Sequence, residues 1–149
     1  AMDAERCSAK GVLNIGIFRI FIMGDAHRTT VLVVDDESMV RLDIVESLNA
    51  AGYATQDASC AEEAIQMLEQ DPGIRVVFTD IQMPGSMDGL ALSHYVRNRW
   101  PPTVIVIISG KGNVAPDELP SDADFLAKPF SGYELARILR KVEFRLCLS

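Results

Sequence analysis

The chain has 149 residues, 48% of them hydrophobic, and a formal net charge of −7 at pH 7. This length suits one domain with a single core, and the hydrophobic content excludes a disordered polar chain. The negative charge disfavours direct binding to nucleic acid or to an anionic membrane, because both require a basic surface. We therefore expect an acidic globular domain with neither of these partners.

The features that bear on cellular location all favour the cytoplasm. The longest apolar stretch, residues 11–24, contains Asn14 and Arg19 and is shorter than the roughly 20 residues of a transmembrane helix. The N-terminal region lacks the basic start and the small-residue cleavage site of a signal peptide. The cysteines share no metal-ligand spacing, and we expect free thiols in a reducing compartment. These cysteines are Cys7, Cys60 and Cys147.

Residues 1–29 precede the regular pattern of the remaining chain. We interpret them as an N-terminal extension, in which residues 1–2 are a tag remnant and Met23 is an alternative start. The domain itself is then expected to span residues 30–149.

From residue 30 onward, short apolar segments alternate with segments of helical spacing. Pairs of Ser and Glu at the spacing of a capping box, Ser59 with Glu62 and Ser131 with Glu134, predict two helix starts. Continuous apolar strands that alternate with amphipathic helices indicate an α/β fold, with a doubly wound five-stranded parallel sheet covered on both faces. The predicted strands are residues 31–35, 53–57, 75–80, 103–109 and 124–127.

Polar side chains stand at the carboxyl ends of four predicted strands. Asp35 ends the first strand and Asp36 follows it, Asp80 ends the third, Ser109 ends the fourth and Lys128 follows the fifth. Ligands of doubly wound sheets bind at this edge. Carboxylates suit a hard cation such as Mg²⁺, and a hydroxyl with an ammonium suits a phosphoryl group. The pattern predicts a site for both.

These motifs, together with Lys128-Pro129-Phe130, resemble the receiver domain of two-component response regulators, from residue 30 to the end of the chain. The resemblance implies the CheY-like, flavodoxin-like strand order 2-1-3-4-5 and a stand-alone, single-domain signalling protein that is not an enzyme. It also implies that Asp80 accepts a phosphoryl group from a histidine kinase or a phosphotransfer protein.

The resemblance also assigns roles within the site. Mg²⁺ is expected as the cofactor, with Asp36 and Asp80 as direct ligands, the backbone carbonyl of Gln82 as a further ligand, and Asp35 acting mainly through water. Lys128 and Ser109 are expected to contact the phosphoryl group, and the Lys128–Pro129 peptide is expected to be cis. Ser109 and the aromatic Phe125 are the expected switch residues.

Two segments depart from the usual receiver pattern. The loop after Asp80 is one residue longer between Met83-Pro84 and Asp88-Gly89. The segment between Ser109 and Lys128 is short and contains Pro116 and Pro120, and proline inside a helix costs about 3 kcal/mol. We therefore expect a fourth helix that is shortened or irregular, with at most one turn near residues 116–119. Because this helix is part of a common dimerisation surface, we expect output through contacts with an unknown protein effector.

Two other functions fit parts of the pattern. A pseudo-receiver would bind partners without phosphorylation and remains the alternative, although such a protein would not need the acidic residues and Lys128 together. A haloacid-dehalogenase-like phosphatase also uses an aspartate at a strand end, but it requires a second aspartate two residues later. Gln82 occupies that position, so we set this class aside.

Overall fold

The computed structural model describes residues 29–110 and 114–148. The predicted N-terminal extension lies outside the described residues except for Thr29, which is buried. The described part forms a five-stranded parallel sheet in the order β2-β1-β3-β4-β5, which confirms the predicted fold class and strand order. The strands are β1 Thr30–Val34, β2 Ala54–Ala58, β3 Ile74–Asp80, β4 Val104–Ser109 and β5 Asp124–Ala127.

Four α-helices connect or follow the strands within the described residues. They pack on the sheet in two layers, and each layer has its own apolar core. The helices are α1 Ser38–Ala50, α2 Ala61–Gln70, α3 Gly89–Arg99 and α4 Gly132–Leu148.

The two cores lie on opposite faces of the sheet because successive side chains of a strand point to opposite sides. On one face, Ile44 of α1 and Ile138 of α4 pack with Val33 of β1. On the other, Leu68 of α2 and Leu92 of α3 belong to a second cluster. The central strands are therefore apolar on both sides, and polar side chains are accommodated at their ends.

Of the two predicted capping boxes, one is present and the other is not. Gly52 (φ 100°) follows α1, and Ser131 and Glu134 form the expected reciprocal capping bonds at the start of α4. The box predicted from Ser59 and Glu62 is wrong. Since α2 begins at Ala61, the third helical residue is Glu63, and its carboxylate accepts the Ser59 N–H at 2.8 Å.

The segment between β4 and β5 contains one turn of 3₁₀ helix, Pro116–Glu118, within its described residues. This agrees with the expectation that the prolines shorten or interrupt the helix between β4 and β5. The segment is attached to α3 by side chains: His94 contacts the Glu118 carbonyl at 2.6 Å, and Arg97 donates to the Ser121 carbonyl at 2.9 Å. The sheet edge beneath is incompletely covered, and Phe125 of β5 is 36% exposed.

The expectation of free thiols holds for Cys60 and is wrong for Cys147, which is disulfide-bonded. Cys7 lies outside the described residues. Within the part of the chain that the structure describes, every helix is too short or too polar to cross a bilayer.

The start of α3 packs against the end of β3 with almost no space between the two backbones. The Gly89 N–H donates to the Ile81 carbonyl at 2.8 Å. A Cβ on Gly89 would lie 1.5 Å from the carbonyl oxygen of Asp80, far inside van der Waals contact. Glycine at this position therefore allows the helix to support the backbone of Asp80.

We expect Gly89→Ala to destabilise the protein by about 1–3 kcal/mol or more, since the added methyl group must displace backbone. Urea denaturation measures the change in free energy of unfolding. Gly132→Ala is the matched control, because a Cβ there meets nothing within 4 Å. A Gly89→Ala protein as stable as the Gly132→Ala protein would contradict the close approach.

Candidate metal centre

Three carboxylates meet at the carboxyl edge of the sheet. Asp35 and Asp36 follow β1, Asp80 ends β3, and one oxygen from each lies within 4.8 Å of the others. Asp35 and Asp80 are buried, whereas Asp36 is exposed. The strands β1 and β3 are adjacent and parallel, so their ends coincide. The structure therefore brings together the predicted acidic residues.

The donor set fits Mg²⁺ or a similar hard cation. The three carboxylate oxygens are close enough for a single ion to be bound among them, with water completing its coordination. The open side at Asp36 also leaves space for water ligands, which Mg²⁺ typically retains.

Lys128 lies between the two buried carboxylates. Its Nζ is 3.1 Å from an oxygen of Asp35 and 3.5 Å from an oxygen of Asp80. The Lys128–Pro129 peptide is cis, as predicted. The resemblance assigned Lys128 to the phosphoryl group; in the structure its shorter contact is with Asp35, which the sequence did not indicate.

Burial and charge shift the ionisation of this group. Burial raises the pKa of Asp80; the Lys128 charge opposes this effect, and the Asp35 charge adds to it. Burial lowers the pKa of Lys128, but the hydrogen bond and charge of Asp35, with help from Asp80, raise it above its usual value. A cation bound beside Asp80 would favour its ionised form.

The loop between β1 and α1 is fixed on both sides of the acid pair. Asp35 Oδ1 accepts the Glu37 N–H at 2.9 Å. Arg41 donates from one nitrogen to the Asp35 backbone carbonyl at 2.6 Å and from another to Asp57 at 2.7 Å. The sequence analysis did not identify Arg41. The pattern that could have identified it is helical spacing, which places Arg41 one turn after Glu37.

The other predicted residues lie around this centre. Ser109 is buried at the end of β4, and its carbonyl accepts the Lys128 N–H at 2.8 Å. A Cβ on Gly110 would make ordinary contact with Lys128 at 3.6 Å. Gln82 is exposed in the loop after β3. Phe125 lies one strand further out, partly exposed, so the structure does not bring it to the carboxylates.

A groove of about 730 Å³ leads to Lys128 from one side. It lies between α1 and the turn that joins β5 to α4. Its lining mixes apolar side chains with acidic ones, including Val40, Ile44, Phe130, Asp43 and Glu46.

Comparisons with known proteins point to one family. Residues 31–140 match the family model of the response regulator receiver domain. The chain is 36% identical over 117 residues to the sensor kinase CckA of Brucella abortus, which covers 76% of this chain and 12% of that protein. It is 32% identical over 115 residues to a putative NtrX-like response regulator of Rickettsia felis, covering 74% of this chain and 24% of that protein.

Solved structures agree with these relatives. The receiver domain of NtrX from Brucella abortus superimposes with a TM-score of 0.70 at 33% identity, covering 76% of this chain and 97% of that one. A receiver protein from Sinorhizobium medicae superimposes with a TM-score of 0.71 at 30% identity, covering 77% and 94%. The chain thus spans nearly all of these receiver structures and a minor part of the curated relatives.

We expect Asp80→Asn to be more stable than the parent at neutral pH without divalent cations. Because folding raises the pKa of Asp80, its contribution to stability is present below the unfolded pKa and is lost as the pH rises through the folded pKa. Removing the charge avoids that loss. Urea denaturation across pH should show a gain that shrinks on acidification, because Asp80 of the parent is then protonated.

Asp117→Asn is the matched control, since Asp117 is exposed on the 3₁₀ turn. Its stability should stay within about 0.5 kcal/mol of the parent. An Asp80→Asn protein no more stable than this control at neutral pH would contradict the unfavourable burial of the Asp80 charge.

Proposed function

Because this chain belongs to the response regulator receiver family, we propose that it is a phosphoacceptor of a two-component phosphorelay, modified on Asp80 in the presence of Mg²⁺. The observation that carries the proposal is the meeting of Asp35, Asp36 and Asp80 with Lys128 at one sheet edge. The phosphoryl donor is a histidine kinase or a histidine phosphotransfer protein in the cytoplasm.

The transfer is an in-line displacement at phosphorus. A carboxylate oxygen of Asp80 forms the new P–O bond, and the P–N bond to the donor histidine breaks with its electron pair remaining on nitrogen. The imidazole then takes up a proton from solvent. Asp80 Oδ1 accepts the Ile81 N–H at 2.9 Å, which fixes the plane of the carboxylate before attack.

The surrounding residues neutralise charge on the transferred group. Asp36, Asp80 and the Gln82 carbonyl would hold Mg²⁺, which would supply electrostatic stabilisation of the phosphoryl oxygens. The Lys128 ammonium exchanges its contact with Asp80 for a phosphoryl oxygen, and Asp35 keeps it in place. Ser109 provides a hydroxyl donor at the end of the neighbouring strand. Phe125, the other expected switch residue, changes its conformation when that contact forms.

The donor is expected to approach along α1. The groove beside Lys128 is open on this side, and α1 carries the exposed apolar side chains Met39 and Leu42. Exposed apolar residues next to a reactive centre are typical of a protein interface. A helix of a donor protein lying here would bring its phosphohistidine to Asp80.

We predict that acetyl phosphate or phosphoramidate with Mg²⁺ adds one phosphoryl group, detected by intact-mass spectrometry. Asp80→Asn should abolish the addition and Asp117→Asn should leave it unchanged. Chelation of divalent cations should also abolish it, because the phosphoryl oxygens then lack the electrostatic stabilisation that Mg²⁺ would supply. Stoichiometric labelling of the Asp80→Asn protein would refute the assignment. Absence of labelling in the parent would favour a phosphorylation-independent pseudo-receiver.

We further predict that phosphorylation does not produce a symmetric dimer through α4. Within the described residues, the segment between β4 and β5 provides a single 3₁₀ turn rather than a helix. A two-fold contact would also place Arg137, Arg140 and Lys141 of one copy near those of the other, and like charges repel. These residues are exposed, which suits an acidic partner protein.

Light scattering with and without beryllofluoride tests this output. The expected result is a monomer under both conditions. A monomer-to-dimer shift that is abolished by substitutions at residues 114–119 or on α4 would show that this face dimerises after all.

A further inference from the structure

The loop between β3 and α3, residues 81–88, carries Gln82, whose carbonyl is a proposed Mg²⁺ ligand. Its inner half is held by the core. The Ile81 N–H donates to Asp80 Oδ1 at 2.9 Å and to the Ile108 carbonyl at 3.2 Å. Met83 is buried in the second apolar cluster. These contacts anchor the chain next to Gln82, and the orientation of the Gln82–Met83 peptide also depends on the outer half of the loop.

The outer half of the loop contacts a different helix. The Ser86 hydroxyl donates to a carboxylate oxygen of Glu62 at 2.7 Å. Gly85 adopts φ +111°, and a Cβ on it would lie 3.8 Å from the same carboxylate. The loop thus passes over Glu62 at the first turn of α2. The additional residue of this loop lies in the same stretch, between Pro84 and Asp88.

Glu62 is available for this contact because its neighbour performs the capping. Glu63 accepts the Ser59 N–H at 2.8 Å, whereas the carboxylate of Glu62 is directed to the loop. The helix below is anchored by Ala61, Ala64 and Leu68, which are buried. The Ser86 hydroxyl also holds the pKa of Glu62 below its usual range, so the acceptor is charged at neutral pH.

We propose that Ser86 and Glu62 are positioning residues, which hold the loop so that the Gln82 carbonyl faces the carboxylates and thereby set the affinity for Mg²⁺. This inference rests on the proposed function of the site. Neither residue belongs to the acidic cluster, so both act through the loop. A loop ordered before the cation arrives loses less conformational entropy on binding.

Calorimetric titration with Mg²⁺ tests the affinity of the unphosphorylated protein. Ser86→Ala, which changes no charge, should raise the Kd for Mg²⁺ by about three- to ten-fold, the range of one hydrogen bond. Ser86→Thr keeps the hydroxyl and should restore the parent value. Glu69→Gln removes an equal charge from the exposed face of α2 and is the matched control for Glu62→Gln.

A double-mutant cycle shows whether Ser86 acts through Glu62. If it does, Ser86→Ala should have little further effect in a Glu62→Gln background. Equal effects of Ser86→Ala in both backgrounds, or an unchanged Kd in the single variant, would overturn the proposal.

Amide hydrogen exchange of the cation-free protein provides a readout that does not depend on the metal. Loss of the Ser86 hydroxyl should accelerate exchange at residues 83–88 and leave α4 unchanged. If the parent fails to bind Mg²⁺ but Ser86→Ala accelerates exchange, the proposed metal site is disproved and the role of Ser86 in ordering the loop is retained. Unchanged exchange would disprove that role.

Discussion

The burial of two like charges, Asp35 and Asp80, governs the carboxyl edge of the sheet, because both carboxylates lose contact with water and their oxygens lie within 4.8 Å of each other. Like charges at this distance are tolerated only if a cation lies beside them. The ammonium of Lys128 serves both, at 3.1 and 3.5 Å. Transfer of a dianionic group to Asp80 would add negative charge to the same place. The positive charges of Lys128 and the proposed Mg²⁺ therefore offset the negative charges of the carboxylates and of the phosphoryl group.

The fold and the geometric core of the site could be predicted from sequence for one physical reason. In a parallel sheet covered on both faces, central strands must be apolar throughout, so a polar residue that ends such a strand stands out. Asp80 and Ser109 are examples, and the register places Asp80 opposite Ile108 with Ser109 next along β4. Adjacency of strand ends then brings together residues far apart in the chain.

Contacts that depend on side-chain reach across the fold could not be predicted in this way. Arg41 bonds to Asp57 and Ser86 to Glu62, over sequence separations that no local pattern reveals. The predicted pairing of Ser59 with Glu62 failed because the helix begins later than the motif suggested, and helix boundaries are sensitive to such details. Long-range polar contacts depend on where the backbone places the two residues, and one sequence is compatible with many different pairs of polar side chains.

The attachment of the 3₁₀ segment to α3 has a consequence for histidine chemistry. His94 Nε2 lies 2.6 Å from the Glu118 carbonyl, and a carbonyl can only accept. Nε2 therefore carries the proton, which selects the Nε2–H tautomer of the neutral ring. Nδ1 is then the acceptor of the ring, and the link between α3 and the segment beside β5 depends on the Nε2–H donor.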